Sequence, residues 1–295
     1  MDSVDGAQRL EVVANRLSEI SRQNRYDPYS AFDWPDSLPA GMYWLSPELM
    51  TCHGTSVWDD LGEEGRIRLS HHEAVGFFSL NVHLIRELIG AVAERIYTTR
   101  YPGLSEFFHD FIAEENIHSW FFATFCRRYG GKVYPARLVP AQLAAGEATC
   151  LRDLAVFGRI LIAEEVCDYF NVAMASDDRL PVICRQINRM HHQDEARHIA
   201  FGRQIMRALT EEAHTREDAE KVGEVRGYLA RYVTTCIRSF YNRDVYSDAR
   251  IADPGAIRRQ LLAAPERGAM HWKIMGRTVD FLDRIGAIDA AAVQW

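Results

Sequence analysis

A chain of 295 residues, 47% of them hydrophobic, is long enough to bury a large core. Its 34 Lys+Arg against 41 Asp+Glu give a formal charge of −7 without a long basic run, which argues against nucleic acid as a partner. The first residues lack a charged and apolar export signal, no uninterrupted apolar stretch reaches ~18 residues, and the six cysteines include no Cys-x-x-Cys pair, so a cytoplasmic protein with reduced thiols and no membrane association is expected.

Leu10, Val13, Ala14, Leu17 and Ile20 recur at helical spacing and predict a first amphipathic helix within residues 1–22. From Asn24 to about Asp60 prolines alternate with aromatics, as in Tyr26-Asp27-Pro28-Tyr29 and Phe32-Asp33-Trp34-Pro35. The prolines forbid a long helix and the rings need a surface to cover, so this is expected to be a strap lying on the core. Helices are then expected over about Ser70–Thr98, Ser105–Tyr129 (stopped by Gly130-Gly131), Ala144–Ser176 and Pro181–Thr210, with a proline-bearing connector from Lys132 to Pro140. Two more are expected near 216–243 and 255–285. Period-2 strand patterns and internal repeats are lacking. The expectation is one all-α domain over 1–295: helix and strap in 1–60, a four-helix core in 70–211 and additional helices in 216–295.

The fourth core helix carries His191-His192-Gln193-Asp194-Glu195-Ala196-Arg197-His198. At about 100° per residue, His191, Glu195 and His198 stand at roughly 0°, 40° and −20° and share one face, while His192 points about 100° away from His191. Glu115 and His118, at i and i+3, share a face of the second core helix. Two Glu-x-x-His segments, completed by one Glu from each of two further helices, are the ligand recipe of carboxylate-bridged di-iron bundles. A single Glu-x-x-His is more often a structural pair, so the other two helices decide the matter. Counting from a turn centred on Tyr101 sets Glu87 level with Glu115, with Glu73 and Glu94 as rivals. Counting from Arg179-Leu180 sets Glu164 or Glu165 opposite Glu195. Four glutamates and two ferrous ions would sum to zero charge, and oxygen plus imidazole donors suit iron or manganese. Asp194 is expected to accept the ring N–H of His118 across the bundle. Phe121, Phe122, Phe125, Phe157 and Phe201 are read as core before pocket wall, and Arg197 as an ion-pair partner of Asp194 or Glu114.

Across about residues 24–245 the sequence resembles the arylamine N-oxygenases, the ferritin-like di-iron family typified by p-aminobenzoate N-oxygenase. The distinctive feature is a third histidine, here His191, four residues before the last Glu. The resemblance implies a ferritin-like bundle whose ligands are Glu87, Glu115, His118, Glu164, His191, Glu195 and His198, with Glu164 favoured over Glu165 and with Asp194 and Glu165 beside them. It also implies two Fe ions, O₂ as co-substrate, a small-molecule amine delivered free or on a carrier protein, and a homodimer; with no flavin or nicotinamide fingerprint visible in the sequence, an external electron donor is expected. The competing readings are a di-iron C–H hydroxylase or desaturase, and a non-catalytic iron-binding bundle.

Overall fold

The structure, a computed structural model, describes residues 2–135 and 149–295, and no strand occurs among them. The chain runs through α1 (Asp2–Gln23), α2 (Ser56–Ala93), α3 (Ser105–Tyr129), α4 (Thr149–Ala175), α5 (Val182–Arg216), α6 (Ala219–Ser239), α7 (Arg243–Asp248), α8 (Pro254–Ala263) and α9 (Pro265–Arg284). The architecture is an all-helical bundle. α4 packs most extensively on α5, and α2 on α3, so the core is two hairpins face to face. α1 lies across α3 and α5, while α6 and α9 back α4.

Sequence chemistry explains the boundaries. α3 stops where Gly131 takes φ +70°, a conformation only glycine adopts without strain, and Pro181 stands at the N-cap of α5. Three differences from expectation have equally local causes. α2 begins at Ser56 rather than Ser70, with a kink at Gly62, whose φ of +60° interrupts the helix. The expected helix over 216–243 stops at Ser239 and resumes as α7 after Asn242 caps Asp244 N with its side chain. The helix expected over 255–285 is two, because Pro265 cannot continue α8 and starts α9. The expected start of the third core helix at Ala144 and the connector beyond Pro135 fall outside the described residues.

The strap is anchored by its rings. Tyr26 stacks on Phe121 at 6.2 Å, Phe32 meets the same ring edge-on at 4.5 Å, and Trp44 stacks on His71 at 4.0 Å. Beneath it Phe78 stacks on Phe122 and meets Phe125 edge-on; all three are fully buried, each contributing about 1.5–3 kcal/mol of transfer free energy. Phe157 and Phe201 are buried near Phe108, so the five phenylalanines are core. Among the described residues, α2 alone is long and apolar enough to cross a membrane, and half of its apolar window is buried inside the bundle.

Candidate metal centre

α3, α4 and α5 turn one buried face each toward a common point. Glu115 and His118 come from α3, Glu164 from α4, and His191, Glu195 and His198 from α5. Their donor atoms fall into two groups, each with all atoms within 4.8 Å of one another: His118, His191 and Glu195; and Glu115, Glu164, Glu195 and His198. Glu195 belongs to both. His191 Nε2 lies 2.8 Å from Glu195 Oε1, His198 Nδ1 2.8 Å from Glu115 Oε1, and His118 Nδ1 3.4 Å from Glu115 Oε1. The His118 and His191 rings are 4.6 Å apart, close enough to serve one paired centre.

Both oxygens of Glu115, both of Glu195, and the Nδ1 atoms of His118 and His198 are buried and, although imidazole and carboxylate atoms approach to 2.8 Å, none of the six makes a hydrogen bond of acceptable geometry. Buried orphans cost about 1–3 kcal/mol each, more when charged, and here they converge on one place. Cations held by these residues would remove that penalty, and the donor set of carboxylate oxygen and imidazole nitrogen suits iron or manganese. The family model of p-aminobenzoate N-oxygenase AurF matches residues 7–286. The chain belongs to that family. No curated protein matches it.

In this AurF-family chain the two Glu-x-x-His helices support each other reciprocally. Asp194, just before Glu195 on α5, accepts from His118 Nε2 of α3 at 3.0 Å; Glu114, just before Glu115 on α3, accepts from His198 Nε2 of α5 at 2.8 Å. Each acid leaves the Nδ1 of the opposite histidine aimed inward, and Arg197 ties the two acids together at 2.5 Å from both. Tyr26 of the strap donates to Asp194 Oδ2, the same oxygen that accepts from His118, at 2.9 Å. The third histidine is held by α4: the Asn171 amide lies 2.7 Å from His191 Nδ1, and its other terminus is a buried orphan. Exchanging the amide's oxygen and nitrogen lets Asn171 accept from Nδ1–H and frees Nε2 as a donor to metal.

The field of this hole favours positive charge. Burial alone would lower the His118 pKa, yet Glu115, Asp194 and Glu195 drive it up to about 10, and His198 is likewise raised. Burial and the facing Glu195 and Glu115 raise Glu164, while Glu195, despite its burial, is held low by His191 and His198. Asp194, against the effect of burial, is held at about 2 by His118 and Arg197.

Six of the seven expected ligands meet here. The seventh, Glu87, does not: it pairs with Arg159 at 2.6 Å, is about one-third exposed, and lies outside both donor groups. The count that chose it assumed a tight turn, whereas residues 94–104 separate α2 from α3. Glu115 stands ten residues into α3, and ten residues back from Ala93 is His83, one turn earlier than Glu87. The rivals fare no better, since Glu73 bonds Thr51 and Glu94 is exposed. Glu165 is turned away from the centre, paired with Arg203 at 2.7 Å and accepting from Thr278 Oγ1. His192 leaves the cluster and meets Asp168 at 2.6 Å.

A cavity of about 370 Å³ opens onto the centre, reaching Glu115, Glu164 and His191. Its walls are aliphatic (Leu84, Ile85, Leu88, Val156 and Ile160), with the Glu87–Arg159 pair and Tyr232 also lining it.

Proposed function

We propose that this chain is a di-iron N-oxygenase that uses O₂ to oxidise the amine nitrogen of a small molecule, with electrons supplied by a separate donor. The observation that carries the metal part is the convergence of six orphaned, buried donor atoms from two Glu-x-x-His helices on one point. Family membership carries the amine. Two iron ions held by Glu115, His118, Glu164, His191, Glu195 and His198 would supply dioxygen activation next to the cavity.

The protein's own part is preorganisation. Asp194, Glu114 and Asn171 fix the three imidazoles, so the donors need not reorganise when a metal enters. The aliphatic part of the wall can take up the apolar body of a substrate, and the volume lies at the small end of the range for ligand pockets, about 300–1,000 Å³, which suits one aromatic ring with short substituents. The cavity is bordered by Glu115, Glu164 and His191, so a substrate held in it lies beside the donor cluster.

The test is metal analysis of aerobically purified protein followed by a panel of arylamines under reductant and air. The expected result is close to two iron per chain and a hydroxylamine, nitroso or nitro product. Protein that binds no metal, or iron-loaded protein that oxidises no amine, refutes the proposal.

A further inference from the structure

In a centre built on four helices, α2 would supply a fourth carboxylate. Here it supplies none: both donor groups draw only on α3, α4 and α5, and among the acids of α2, Glu73 and Glu87 are engaged with Thr51 and Arg159. Of the α2 side chains that line the cavity with Glu115, Glu164 and His191, Asn81 is the polar one that is also buried, only 2% exposed. Its Nδ2 donates to Phe77 O at 2.9 Å, and its Oδ1 has no partner among the described residues.

Resting on the two-metal reading above, we propose that Asn81 marks a coordination position left open on the α2 side, which an exogenous small carboxylate fills from the cavity. Three glutamates carry −3 against +4 for two divalent ions, so the centre keeps one positive charge where a fourth glutamate would have cancelled it. The cavity gives an anion its route in, and the Glu87–Arg159 pair on its wall is self-neutralised and does not compete for it. The carboxylate belongs either to a solute or to the substrate itself.

The experiment loads the full chain with Co²⁺ and follows its visible ligand-field bands, a readout independent of turnover, while acetate or 4-aminobenzoate is added. Two metals per chain and saturable band shifts are expected. Tighter binding of 4-aminobenzoate than of acetate assigns the position to a substrate carboxylate, and equal binding assigns it to a solute. Asn81→Asp, nearly isosteric, adds the missing charge and should weaken the response at least about tenfold, corresponding to about 1.4 kcal/mol. Asn81→Ala, which adds no charge, should keep it. Bands indifferent to both carboxylates with two metals bound, or an Asn81→Asp variant that responds like wild type, overturn this inference alone. A chain that takes up no metal overturns the proposed function with it. Should Asn81→Asp lose its helical circular dichroism, the wild-type titration decides by itself.

Discussion

Replacing Asp194 by Asn tests the outer support of the centre with almost no change in shape. The carboxylate accepts from His118, Tyr26 and Arg197 at once; an amide offers a single acceptor oxygen and sets an NH₂ against at least one of these donors. The carboxyl pKa falls from its ordinary 3.8 to about 2, and the side chain is buried. That difference corresponds to about 2–3 kcal/mol of stability at neutral pH. The His118 shift is larger because Glu115 and Glu195 add to it, so the Asp194 side is the better measure of this contact. Because the folded pKa is depressed, the stabilisation is complete above pH ~4 and disappears as pH falls through about 2. Urea unfolding of the metal-free variant at pH 7 should therefore show a loss of about 2–3 kcal/mol that shrinks towards pH 2, and chelator competition should show metal held about ten- to a hundredfold more weakly. Unchanged midpoint and unchanged metal affinity would refute the role given to Asp194.

Other substitutions separate the residues that meet at the centre from those that do not. Glu164→Gln should lower the metal content measured by plasma emission, whereas Glu87→Gln should leave it near wild type, because Glu87 faces Arg159; the reverse order would restore Glu87 as a ligand. Glu73, raised to about 7 chiefly by burial, stays protonated in the folded chain while its unfolded counterpart ionises near 4.5. Stability should thus fall by about 3 kcal/mol between pH 4.5 and 7 from this group, and Glu73→Gln should flatten that slope in pH-dependent urea titrations. Gly130 packs where a Cβ would stand 2.6 Å from Val75 and 2.9 Å from Cys126 O. Gly130→Ala should cost about 1–3 kcal/mol of overpacking, and a preserved thermal midpoint would mean that α2 and α3 separate more readily than they pack.

What could be read from the chain, and what could not, divides along physical lines. Spacing within one helix is rigid, so His191, Glu195 and His198, like Glu115 and His118, were readable from 100° per residue alone. The two cross-helix counts had different outcomes because their turns differ. Ala175 and Val182 are joined by a short turn, and Glu164 arrives opposite Glu195; the long excursion from 94 to 104 displaced the first hairpin's register by a turn, and Glu87 with it. Asp194 as the partner of His118 was foreseen, but its mirror, Glu114 holding His198, was not. The signal was present, since an acid stands immediately before the glutamate in both motifs. Asn171 also had a signal, seven residues beyond Glu164 and so on the same face of α4, but a lone asparagine reads equally well as an ordinary polar residue. Asn81 could not have been found: no count predicts where an expected charge has been replaced by an amide.

The strap's Tyr26 has a consequence of its own. Its hydroxyl reaches Asp194, which holds His118, so the arm before α2 and the buried donor cluster share one hydrogen-bonded chain. Energetic coupling of this kind is reciprocal: whatever affinity the metal gains from a docked arm, the arm gains from a bound metal. Proteolytic nicking around Tyr26 to Ser30 should slow as metal is added, which would make the outermost segment of the chain a gauge of what its deepest residues hold.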